Sequence, residues 1–256
     1  MSLSRNIKLL LAFDGTGYAG WQKQKSEKTV QGVIEDRIHV MTGEHCCLHG
    51  AGRTDAGVHA LGMVANFHTE SDIPCLGFAK GLNSLLPRDV RVLDAGDVSP
   101  DFHARCDAKG KTYWYNFVGG RMQLPTERLY TAYVPGELDY EAMRLGLTCL
   151  VGTYDFASFE GAGSRDPEFP GRGAVRTITE ASLETIKTLD CYRVVITGDG
   201  FLRHMVRNIV GTVFEIGKGR LAHSDITTIL AAKDRSAAGP TAPAAGLFLK
   251  RIFYPL

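Results

Sequence analysis

Lys109-Gly110-Lys111-Thr112-Tyr113-Trp114-Tyr115-Asn116-Phe117-Val118 carries the signal from which the architecture is read. In an extended chain Tyr113, Tyr115 and Phe117 share one face, and Thr112, Trp114 and Asn116 share the other. Both faces carry bulk, so Lys111–Val118 reads as an interior strand. Before it, Ile7–Phe13 is strand-like and ends in the turn Asp14-Gly15-Thr16-Gly17. Val30–Thr42 reads as a helix, with Val33, Ile34, Ile38 and Met41 at helical spacing and Gly43 as its stop. The latter part of Val58–Phe67 is a strand, Cys75–Leu85 a helix ended by Pro87, and Val90–Ala95 and Asp101–Ala108 short extended pieces. After it come a helix over Asp139–Leu150 and strands over Ile178–Glu184 and Cys191–Thr197. Gly198-Asp199-Gly200 opens a helix to about Gly217. Ser224 caps another, Asp225–Ala232, and a loop, Gly239–Ala245, leads to a closing strand, Leu247–Phe253. This alternation predicts an α+β fold. The order restarts with a long strand after Ala108, which divides the chain into an N-terminal α+β domain, 1–107, and a C-terminal one, 108–256.

Composition sets the outer limits. The chain has 256 residues, 44% hydrophobic and 22% charged, ordinary for a globular protein. No apolar run reaches the roughly 18 residues needed to span a bilayer. The N-terminus lacks the apolar stretch and cleavage site of a signal peptide, so cytoplasmic residence is the expectation. Six cysteines include no C-x-x-C pair, and are expected as thiols in a reducing compartment. Neither they nor the eight histidines show zinc or iron–sulfur spacing, so no metal is expected. Gly211 to Gly219 fails as a phosphate loop, having five spacers and Gly where Ser or Thr belongs. Asp14 reads as a turn residue.

Net charge is +1, unevenly spread. Residues 1–107 carry 11 basic against 13 acidic side chains; residues 108–256 carry 18 against 15. Basic residues cluster at Lys23/Lys25/Lys28, Arg105/Lys109/Lys111, Arg165/Arg172/Arg176 and Arg203/Arg207. Such clusters suit a phosphate backbone; the other reading is a set of solvated faces.

Three segments carry candidate chemistry. In Gly50-Ala51-Gly52-Arg53-Thr54-Asp55-Ala56-Gly57-Val58-His59-Ala60, three glycines let the backbone turn sharply around Arg53 and Asp55. The guanidinium would keep the carboxylate ionised in a desolvated pocket, fit to act as nucleophile or base. A structural Arg–Asp pair bracing a turn is the other reading. Lys109 to Tyr115 places basic residues before alternating aromatics, which suits base stacking or plain core packing. Gly200 to Gly211 places Phe201, Met205 and Ile209 on one helical face and Arg203 and Arg207 on another, to serve phosphate or a carboxylate.

G-R-T-D-A-G-V-H-A, F-H-A-R at 102–105, K-T-Y-W-Y, F-L-R-H-M-V-R-N-I-V-G and A-G-P-T-A-P-A-A-G-L-F-L together resemble the TruA family of tRNA pseudouridine synthases, in order and over essentially the whole chain. The resemblance implies the pseudouridine synthase fold: two α+β, ferredoxin- or RRM-like domains with a joined, mainly antiparallel sheet and a central cleft. It implies isomerisation of uridine to pseudouridine at positions 38, 39 and 40 of the tRNA anticodon stem-loop, with no cofactor and no energy source, by a homodimer. It implies Asp55 as the catalytic nucleophile, Arg53 as the motif arginine beside it, and Arg203 as the arginine that pairs with Asp55. Tyr113 matches the active-site tyrosine, and Leu247 the leucine that packs under the site. Trp114 departs from the family, where many relatives carry a basic residue, and the loop Glu160–Gly173 does not align. The alternative is a non-catalytic RNA-binding module, which explains the aromatics and arginines but not an Arg-x-Asp in a loop of three glycines. A nucleosidase, the other rival, would release free base.

Overall fold

The computed structural model describes residues 4–161, 171 and 173–255. Most of the loop Glu160–Gly173, with Arg165 and Arg172 of one basic cluster, lies outside the described residues. The chain forms two compact units, 1–109 with 248–256, and 110–247. The last residues therefore belong to the first unit, whereas a boundary near Ala108 assigns them to the second. Strand pairing is the reason. Phe248 and Leu249 run parallel to His59 and Ala60, Lys109 N donates to Phe253 O at 2.8 Å, and the Tyr254 hydroxyl donates to Ala104 O at 2.6 Å.

The first unit is built on strand β1 (Arg5–Phe13), antiparallel to β3 (His59–Thr69) and to β4 (Val90–Val98). The two-residue β2 (His49–Gly50) lies along the far edge of β3, and the closing strand Leu247–Phe253 pairs beside it. Ile7, Leu9, Leu11, Met63 and Phe67 alternate into the core beneath helices α1 (Val30–Thr42) and α2 (Cys75–Leu85). Helix α1 starts where Thr29 accepts from Gly32 N, a cap of about 1 kcal/mol, and stops at Gly43 in the left-handed conformation. Its buried face is Val30, Ile34 and Ile38, together with the polar Gln31. Residues 101–108 do not form the expected extended piece. Their backbone binds buried amide side chains instead: Asn6 and Asn66 donate to Phe102 O at 2.9 and 3.2 Å, and Ala104 N donates to Asn66 Oδ1 at 2.8 Å. The chain turns there rather than joining a sheet.

The second unit opens with β5 (Gly110–Gly119). It is an interior strand, antiparallel to β9 (Cys191–Gly198) on one edge and parallel to β6 (Ala132–Val134) on the other, with Phe117 opposite both Tyr192 and Ala132. Strands β8 (Val175–Ile186) and β7 (Gly152–Asp155) continue the sheet antiparallel. Tyr115 and Phe117 are fully buried and meet Phe214 edge-on. Phe214 lies on α4 (Met205–Gly217), which packs with α3 (Tyr140–Thr148). Helix α5 (Asp225–Ala232) and the closing strand, β10, complete the elements named here. The architecture is α+β with a largely antiparallel sheet.

Helix α4 begins five residues later than Gly200. His204, with φ of 60°, interrupts the chain just before it, so Phe201 and Arg203 lie in a turn and not on the helix. Asp199 N donates to Thr177 O of β8, and Met205 N to Leu202 O closes the turn. The expected helical face shared by Arg203 and Arg207 is therefore absent. Ser224 occupies the start of α5 without a side-chain cap; Asp225 Oδ2 accepts from Ala222 N at 2.9 Å instead. Gly211 to Gly219, rejected as a phosphate loop, is mostly α4 itself. No helix of the described residues is long and apolar enough to cross a membrane.

Candidate active site

Asp55 sits half-buried in the loop between β2 and β3. A second segment, Gly15 to Trp21, lies against that loop and fixes its shape. Trp21 N donates to Thr54 O at 3.1 Å, and Gly57 N donates to Tyr18 O at 3.3 Å. The loop closes on itself through Val58 N to Asp55 O at 3.2 Å. Two glycines of the second segment are required by this contact. Gly20 has φ of 100°, and a Cβ there would lie 2.5 Å from Thr54 O. A Cβ on Gly15 would overlap the Val58 carbonyl. Below the loop, buried His59 takes Gly15 N on its Nδ1 at 3.1 Å, stands 3.2 Å from Asp14 Oδ1, and stacks on Phe248. Asp14 is a turn residue, accepting from Thr16 N and Thr16 Oγ1. The backbone on both sides of Asp55 is thus tied at several points, which limits where its carboxylate can go.

Arg53 is exposed, and its Nε donates to Gln22 Oε1 at 3.1 Å. Gln22 in turn donates to Gln31 Oε1 at 2.8 Å. Neither glutamine belongs to the motif around Asp55. In the structure Gln31 is a buried polar side chain on an otherwise apolar helix face. Nearby, Lys23 pairs with Glu35 at 2.9 Å, which raises the lysine pKa. Lys28 lies 4.3 Å over the Tyr18 ring and 3.8 Å from Asp89.

The other predicted residues lie in the second unit. Tyr113 is 8% exposed on β5, with its ring edge-on to Phe201 at 5.1 Å. Phe201, read from sequence only as a helix-face residue, is therefore the aromatic wall of this tyrosine. Arg203 is exposed, and its carbonyl accepts from Gly161 N at 2.8 Å. Arg207 donates to Ala242 O at 2.8 Å, tying α4 to the Gly239–Ala245 loop. Leu247 is 6% exposed at the start of β10. Tyr115 belongs to the core, its hydroxyl donating to Pro243 O at 2.7 Å. On the opposite face of β5, the Arg193 guanidinium lies 3.8 Å over the Trp114 ring and donates to Asn116 Oδ1. A basic group thus reaches Trp114 from the adjacent strand. Asp55 and Arg53 share one loop of the first unit; Tyr113 and Arg203 share the Phe201 turn region of the second. Among the described residues no group of three or more His, Cys, Asp or Glu is placed to hold a metal ion.

The pseudouridine synthase family model, described as tRNA pseudouridine synthase, matches residues 10–107 and 148–255, which include the Asp55 loop and the Arg203 turn but not Tyr113. The chain belongs to the tRNA pseudouridine synthase family. It is 50% identical over 251 residues to "tRNA pseudouridine synthase A 1" of Desulfotalea psychrophila, covering 98% of this chain and 100% of that protein. It is 45% identical over 250 residues to "tRNA pseudouridine synthase A" of Acetivibrio thermocellus, at 98% and 100% coverage. "tRNA pseudouridine synthase A 2" of Clostridium tetani is 43% identical over 254 residues, at the same coverage.

Proposed function

We propose that this tRNA pseudouridine synthase acts at positions 38, 39 and 40 of the tRNA anticodon stem-loop, with Asp55 as its catalytic carboxylate. The observation that carries the reading is the loop around Asp55, clamped by Trp21 N and Tyr18 O on either side of the carboxylate. Forming pseudouridine breaks the C1′–N1 bond and makes C1′–C5. The C5 hydrogen leaves as a proton, N1 gains one, and no oxidation state changes. Side chains alone can supply that chemistry. The target base is stacked or paired, so it must first be turned out into a pocket. Arg53 fills the vacated stack or holds the flipped nucleotide. Asp55 then attacks C1′ or C6, or assists loss of uracil and abstraction of a 2′ proton; each route uses the ionised carboxylate. Tyr113 packs on the base, and Arg203 orients Asp55 through a charge-assisted hydrogen bond. Leu247 supports the site from beneath. The first unit carries the catalytic loop, and the protein works as a cytoplasmic homodimer.

Tritium release from tRNA labelled at C5 of uridine tests the assignment. Wild type should release label from the anticodon arm. Asp55→Asn should lose turnover by at least about a thousandfold while still binding tRNA. Residual turnover above about a hundredth of wild type would remove Asp55 as the essential carboxylate.

A further inference from the structure

Gln22 is an exposed neutral amide, yet its side chain lies in a series of hydrogen bonds whose direction is set at both ends. At the inner end Glu35 Oε1 accepts from Gln31 Nε2 at 3.0 Å and from Leu48 N at 3.1 Å. Gln31 Nε2 also donates to Leu48 O at 3.1 Å. The nitrogen of this amide is therefore turned inward and its oxygen outward. That oxygen accepts from Gln22 Nε2 and from Lys23 N, both at 2.8 Å. Gln22 has its nitrogen committed to Gln31, so its carbonyl faces Arg53 Nε, a group that only donates. Each link polarises the next in the same sense, from carboxylate to guanidinium. The inner end is rigid: Gln31 is 6% exposed and sits on α1.

We propose that Gln22 is a positioning residue for Arg53. With Gln31 and Glu35 behind it, Gln22 holds the guanidinium plane in one orientation before RNA arrives. The two Nη groups of Arg53 are then presented to the nucleotide without a search among rotamers. A long, exposed arginine otherwise samples many conformations and must be ordered during the reaction. This inference rests on the reading that Arg53 acts on the flipped nucleotide. The brace engages Arg53 through Nε, so it shapes the step that Arg53 serves rather than the binding of tRNA as a whole.

A double-mutant cycle tests it, with single-turnover pseudouridine formation and tRNA affinity measured separately. Gln22→Met keeps length and flexibility but offers no carbonyl. It should slow the single-turnover rate about tenfold, the loss of one hydrogen bond to a charged group. Its tRNA Kd should stay within about twofold of wild type. In an Arg53→Ala background the same change should have no further effect. Equal slowing in both backgrounds overturns the proposal, because Gln22 would then act apart from Arg53. A weakened Kd with an unchanged rate also overturns it, by making Gln22 an RNA contact. If Arg53→Ala alone turns over at the wild-type rate, the reading of Arg53 itself falls and the brace with it, an outcome distinct from the other two.

Discussion

At the scale of single residues, position in the hydrogen-bonded framework matters more than residue type. Several of the eight histidines show this. His59 is locked beneath the Asp55 loop, whereas His49 lies with its ring 4.9 Å from that of His103. His103 Nδ1 accepts from Arg105 N and Cys106 N, which fixes that ring in its turn. Burial, and then the His103 and His68 imidazoles, hold His49 below the usual imidazole range, against a smaller opposing pull from Glu35. The folded value is depressed relative to the unfolded one, near 6.5. The resulting stability is complete above that unfolded value and is lost as pH falls through the folded one. Thermal midpoints taken from pH 7 to pH 5 should therefore decline in wild type and decline less in His49→Gln. Parallel curves would show that His49 does not contribute to the acid limb.

At the scale of elements, the Asp55 loop depends on a partner segment as much as on its own glycines. Gly20→Ala combines a left-handed backbone with a Cβ placed against Thr54 O. Gly43→Ala, at φ of 75°, faces nothing within 4 Å. The control should lose about 1 kcal/mol, and Gly20→Ala roughly 2–4 kcal/mol with a disproportionate loss of turnover. Equal losses of stability and activity in the two variants would remove the clamp as a determinant of catalysis. Helices α1 and α2 were legible to the residue, because apolar spacing ends at Gly43 in the first case and just before Pro87 in the second. The strand β5 was legible because its two bulky faces alternate without a break. Helix α4 was misread at its start, since Phe201, Met205 and Ile209 keep helical spacing straight through the kink at His204. Nothing in residue type announces a positive φ there. Asp55 and Arg53 stood out through a local cluster of glycines, but Gln22 and Gln31 could not. Their link to Arg53 runs between segments far apart in sequence.

At the scale of the molecule, the lysines of the Lys23/Lys25/Lys28 cluster differ in how far a neighbouring carboxylate offsets their charge. Lys23 and Lys28 each answer a carboxylate of their own unit, Glu35 and Asp89. Lys25 is exposed on the same arm. In a plot of log affinity for tRNA against log salt, Lys25→Ala should reduce the slope by about 0.7–0.9, one phosphate contact. Lys23→Ala should change it less, because Glu35 already offsets that charge. An unchanged slope in Lys25→Ala would make the arm a solvated surface.

The pairing of Phe248 and Leu249 with His59 and Ala60 also bears on how the protein is made. On the ribosome residues 1–109 emerge first, but the strand that covers this stretch of the β3 edge follows only after the second unit. The whole second unit must be translated in between, on the order of ten seconds at common elongation rates. Until then the His59–Ala60 edge, four residues from Asp55, lacks its native neighbour and is open to pairing with other chains. A chain cut before Phe248 would bear every residue assigned to the site and yet an unfinished first sheet. The first sheet is therefore finished by the strand that follows the second unit, and not when the Asp55 loop itself is made.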